Sequence, residues 1–78
     1  MSEYTIRFTA DGKTESLGTM KNDTEAAIHA EVLLTAYGYD ANELVTGEWE
    51  QGRLLIWENE ADAEGDSGAK ALCSVERC

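Results

Sequence analysis

Five carboxylates, Glu58, Glu60, Asp62, Glu64 and Asp66, stand at alternate positions with no Lys or Arg between them. In an extended chain, side chains at i and i+2 point the same way about 6.6 Å apart. Consecutive phosphates on a nucleic-acid strand have a comparable spacing, so an extended row of this kind presents charge much as one strand does. Asp40 and Glu43 precede this row, and Glu48 and Glu50 flank Trp49. The 78-residue chain holds 16 acids against 6 bases, a net charge of −10. Such a surface repels nucleic acid and attracts proteins that bind it. The competing reading is a solvated acidic loop that serves solubility, as charge runs commonly do. An acid excess also marks proteins adapted to high salt.

Other chemistry is sparsely provided. Glu60, Asp62, Glu64 and Gly65 resemble the opening of a calcium-binding EF-hand loop, but its twelfth position is Ala71, where a bidentate Glu is needed. His29 is the only histidine, and Cys73 and Cys78 do not complete a zinc site with it. Cys73 reads as an inward strand residue, where a thiol stays protonated and is a poor nucleophile. Cys73 and Cys78 lie roughly 16 Å apart if extended, beyond disulfide reach, so both are expected as free thiols. No glycine-rich phosphate loop occurs. These features predict a non-enzymatic protein with no cofactor and no metal. Trp49 and Trp57 lack the basic groove that base stacking requires, which argues against direct nucleic-acid binding. No apolar run approaches the roughly 20 residues of a membrane helix, and Met1 to Ala10 alternates rather than forming a leader. A cytoplasmic location follows as an expectation.

The elements that must position these residues are legible from periodicity. Tyr4, Ile6 and Phe8 alternate with polar residues in a first strand, and Asp11-Gly12 marks a hairpin turn. Lys13 to Thr19 should return, with Leu17 opposite Ile6 and Glu15 opposite Phe8. A helix follows, capped by Asn22 or Asp23 and closed by Gly38, with Tyr39 folding back on Leu34. Ala26, Ala27, Ala30, Leu33, Leu34 and Tyr37 share its core face, and His29 sits beside it as a partly packed imidazole. Leu44 to Glu50 and Arg53 to Glu58 form a hairpin about Gln51-Gly52, which places Thr46 opposite Trp57 and Trp49 opposite Leu54. Leu54 to Trp57 is apolar on both faces, as in a central strand or one covered twice. Ala71, Cys73 and Val75 alternate in a last strand. The expectation is one α+β domain over residues 1–78, order β-β-α-β-β-β, with a single helix on a mostly antiparallel sheet and an acidic loop at 58–68.

The Asp11-Gly12 hairpin, the single helix from Asn22 to Gly38 and the acids from Glu58 to Asp66 together resemble the small acidic proteins of phages and mobile elements. Among these are the anti-CRISPR proteins and other DNA mimics. The resemblance is one of size, charge and layout over the whole chain. It implies an inhibitor that occupies the DNA-binding surface of a bacterial defence complex. The implied partner is a basic nucleic-acid-binding protein such as a CRISPR surveillance complex, which grips its target duplex through positive residues. A phage-encoded inhibitor of this kind would act in the host cytoplasm. The alternative is a small homodimeric adaptor. Ile28 and Val32 project opposite the helix's core face at i, i+4 spacing and form the candidate dimer contact.

Overall fold

In the computed structural model, which describes residues 2–64 and 70–78, the strands β1 (Ser2–Phe8), β2 (Thr14–Met20), β3 (Val45–Thr46), β4 (Arg53–Trp57) and β5 (Cys73–Arg77) form one antiparallel sheet. Its spatial order is β2-β1-β5-β4-β3. The main helix α1 (Asp23–Ala36) packs on one face. A single helical turn, α2 (Glu60–Ala63), lies between β4 and β5. The α+β class with one main helix on an antiparallel sheet agrees with the sequence. The order is β-β-α-β-β-α-β rather than β-β-α-β-β-β.

The α1 boundaries follow from local chemistry. The Asn22 side chain accepts a hydrogen bond from the Glu25 N–H at 2.9 Å, satisfying one orphan donor of the first turn. At the other end Gly38 takes φ +101°, and the Tyr39 N–H donates to the Leu34 carbonyl at 3.1 Å. Ala26, Ala30 and Leu34 are fully buried against Tyr4, Ile6, Leu54, Ile56, Cys73 and Val75. Ala27 and Leu33 are half-buried flanks. Tyr37 and His29 depart from expectation, because both are exposed. Tyr37 has turned out of the core to reach Glu15 with its hydroxyl, and its ring leans on Phe8 at 5.7 Å.

Two registers also differ. Glu15, not Leu17, lies opposite Ile6, because the β1–β2 connection is longer than a two-residue turn. The Phe8 N–H donates to the Lys13 carbonyl across Thr9–Gly12, and the Asp11 carboxylate accepts from the Lys13 N–H. Further along, Tyr4 pairs with Gly18 while Thr5 pairs with Ser16, so Leu17 is an extra residue in a β-bulge. In the second hairpin, Gln51 (φ +53°) and Gly52 (φ +77°) form a two-residue turn with both φ positive, as the sequence suggests. Glu50 pairs with Arg53, but Val45 rather than Thr46 lies opposite Trp57. Glu48 and Trp49 together oppose Leu54, and this extra residue shifts every pair beyond it by one. Regular β3 therefore shrinks to two residues. Trp49 still reaches the core side, with its ring edge-on to Tyr4 at 5.9 Å.

β4 lies inside the sheet, as its apolar run implies, with Leu54 and Ile56 facing α1. β5 runs later than expected, from Cys73 rather than Ala71. It occupies the middle of the sheet, pairing with both β1 and β4. Cys73 and Cys78 are both free thiols, the first buried and the second exposed.

Candidate partner-binding surface

The pairing of β1, β5, β4 and β3 brings three connections to one end of the sheet, beyond Phe8, Cys73 and Trp57. They are the β1–β2 loop, the segment from α1 to β3, and the α2 segment between β4 and β5. Among the described residues these carry Asp11, Asp40, Glu43, Glu58, Glu60, Asp62 and Glu64, against Lys13 and Lys70. The same end receives the C-terminus of α1, since Tyr37 meets Phe8 and Glu15 there. That terminus carries the negative pole of the helix dipole, and no base stands in its last turn to offset it. Acids and dipole thus add rather than cancel.

Two local devices shape the segments that carry these acids. Asp40 accepts from the Asn42 N–H at 2.9 Å, and its carbonyl accepts from the Glu43 N–H at 3.0 Å, which winds the α1–β3 connection into a tight turn. Asn59 caps α2 by accepting from the Asp62 N–H at 2.9 Å. Glu60 and Asp62 in that first turn meet the favourable end of its peptide dipoles. This helical turn corrects the expectation of an extended acidic row. Side chains at i and i+2 of a helix lie about 200° apart, so Glu60 and Asp62 diverge and no strand-like line of charges forms. Glu58, Glu60 and Glu64 are exposed, while Asp62 is half-buried. Asp62 and Glu58 border a shallow depression of about 230 Å³ with Lys70, Ala71 and Leu72. Asp66 lies outside the described residues.

Of the remaining candidates, Glu48 and Glu50 sit near the β3–β4 turn, at the opposite end of the sheet. They belong to a different feature, a trough of about 1030 Å³ lined by Gly47, Arg53, Leu55 and Trp57 as well. It opens on the sheet face turned away from α1. Arg53 there lies 3.7 Å from Glu76 in an exposed ion pair. Gly47 is needed for this shape, because a Cβ on it would stand 3.0 Å from the Trp57 ring. Ile28 and Val32 are 55% and 65% exposed, directly opposite the Ala26–Ala30–Leu34 face.

Sequence reasoning missed the trough, whose floor depends on the Glu48–Trp49 register shift. It also missed a cluster at the N-terminus of α1. The buried Tyr4 hydroxyl donates to the Asp23 carboxylate at 2.5 Å, and Arg77 approaches the same carboxylate at 3.3 Å. The hydrogen bond to Asp23, with burial and the carboxylate's charge, raises the Tyr4 phenol above its ordinary 10.0, and Arg77 partly opposes this. Glu15 raises the Tyr37 phenol in the same way. Neither contact has a signature within a short window, since 54 residues separate Asp23 from Arg77. A signal for α2 was present: Asn59-x-x-Asp62 repeats the Asn22-x-x-Glu25 cap pattern.

No helix among the described residues is long and apolar enough to cross a membrane. Comparison with protein-family models, with curated proteins and with solved structures finds no match to this chain.

Proposed function

We propose that this protein is a non-enzymatic acidic inhibitor of the anti-CRISPR kind, which occupies a nucleic-acid-binding surface of a bacterial defence complex and blocks target DNA binding. The observation that carries the reading is the convergence of Asp40, Glu43, Glu58, Glu60, Asp62 and Glu64 at one end of the sheet, on the negative pole of α1. Folding stability alone disfavours that placement, because like charges repel and acids at a helix C-terminus oppose its dipole. A basic surface evolved to hold phosphates would recover the cost on binding. The acids share one end of the sheet without forming a line, so the mimicry is one of charge density rather than of a single strand's spacing. Attraction of this type acts mainly on the association rate and weakens with salt.

The test compares the wild type with a five-fold amide variant, Glu58→Gln, Glu60→Gln, Asp62→Asn, Glu64→Gln and Asp66→Asn. Both are titrated into a purified CRISPR surveillance complex with labelled target duplex, across a salt series. The variant should fold with equal or slightly higher stability. It should inhibit at least about tenfold less at low salt and show a flatter salt dependence. Equal potency at low salt would remove the reading.

A second reading is favoured by the exposure of Ile28 and Val32. They form an apolar i, i+4 pair on the outer face of α1, fit for a small homodimer seam that would supply burial a thin core lacks. The two readings use different surfaces and are compatible.

A further inference from the structure

The trough on the open sheet face lies at the far end from the acidic patch, yet Glu48 and Glu50 on it are exposed carboxylates. We propose that it is a second docking site, which takes an extended basic segment of a protein partner. The inference rests on the functional reading above only for the partner's being a nucleic-acid-binding protein; the sign of its charge follows from the trough.

Charge complementarity and shape select this occupant. Arg53 is matched by Glu76 at 3.7 Å, so Glu48 and Glu50 set the sign of the trough. The apolar part of its floor is the half-buried Leu55, set beside the buried Trp57 ring that lies against Gly47. Lys and Arg are the residues that match such a surface, because an aliphatic stem can lie along the floor while the charged head reaches a carboxylate. About 1030 Å³ of open trough suits a chain laid across the hairpin better than an enclosed small molecule. The turn geometry keeps the site in place. Gln51 and Gly52 close the hairpin tightly, and the Glu50–Arg53 pair is joined by two backbone hydrogen bonds of 2.9 and 3.0 Å. The extra residue at Glu48–Trp49 sends Trp49 to the core without carrying Glu48 inward.

The experiment titrates a hexa-arginine amide peptide into isotopically labelled wild-type protein at about 0.15 M ionic strength, where exposed charges more than about 8 Å apart are largely screened. Backbone amide shifts are read at Gly47, Gln51, Gly52 and Leu55 for the trough, and at Glu60, Ala61, Ala71 and Leu72 for the acidic end. The trough amides should shift saturably. Glu48→Gln with Glu50→Gln, both at exposed positions, should weaken binding there at least about fivefold. The five-fold amide variant should leave the trough affinity within about twofold. Shifts confined to the acidic end would overturn the second site and leave the functional reading standing. Trough shifts that survive the Glu48→Gln, Glu50→Gln change would also overturn it. A responsive trough, together with full inhibitory potency of the five-fold variant, would keep the second site and remove the functional reading.

Discussion

Cys73 offers a prediction whose size can be worked from its surroundings. It is fully buried at the start of the central strand β5, between Phe8 on β1 and Ile56 on β4. Burial pushes its thiol from an ordinary 9.0 up to about 12. The unfolded chain therefore releases this proton near pH 9 while the folded chain keeps it. A pKa raised by folding contributes stability that is fully present below the unfolded value and is lost as pH climbs toward the folded one. Each pH unit in that window costs about 1.4 kcal/mol, so at a pH near 10.5 the wild type has lost about 2 kcal/mol through Cys73. Cys73→Ala removes the titration, and the constant cost of the lost sulfur does not alter how the variant's midpoint moves with pH. Tyr4 and Tyr37, also raised, lose stability in the same direction, but they do so in both proteins and cancel in the difference. The assay is urea unfolding of both proteins, with reductant present, from neutral pH to about 10.5. For a small domain losing about 1 kcal/mol per molar urea, the wild-type midpoint should fall by about 2 M more than the variant's. Midpoints that fall in parallel would refute the reasoning. So would thiol labelling of Cys73 at the rate of the exposed Cys78 in the native protein near pH 8.

Asn22→Ala removes the acceptor for the Glu25 N–H and should cost about 1 kcal/mol, which lowers the melting temperature by about 4–8 °C. An unchanged melting curve would mean that water replaces the cap without loss. For the dimer reading, sedimentation at tens of micromolar (a rough range for weak dimers) should show self-association that Ile28→Glu with Val32→Glu abolishes. A monomeric wild type would remove that reading.

The parts of the fold legible in the sequence are those specified within a few residues. Asn22 and Gly38 mark the ends of α1, the alanines and Leu34 mark its buried face, and Gln51-Gly52 marks a turn, all through local backbone preferences. The registers were not legible. A bulge at Leu17 or at Glu48–Trp49 adds one residue without altering composition, and its effect shows only in which residue finds a partner across the sheet. The acidic candidates divide for the same reason. Alternation from Glu58 to Glu64 reads as an extended row, but the Asn59 cap turns part of it into a helix. Asp40 and Glu43 come beside Glu58 through the local β3–β4 hairpin, but bringing the β1–β2 loop and the end of α1 to the same place depends on β5 entering between β1 and β4, a pairing across most of the chain. Glu48 and Glu50 lie close to that row in sequence and far from it in the sheet.

The central place of β5 bears on how the chain is made. Until Cys73–Arg77 leaves the ribosome, the β1–β2 and β3–β4 hairpins are two separate ribbons, each with an unpaired inner edge. Ile6 and Ile56, later fully buried, have no completed core to enter at that stage. Nascent chains are thus expected to stay open to one another and to chaperones until β5 emerges, then close in one step. During that interval the same acid excess that would draw a basic partner also keeps unfinished copies apart, since chains of net charge −10 repel before they can pair edge to edge.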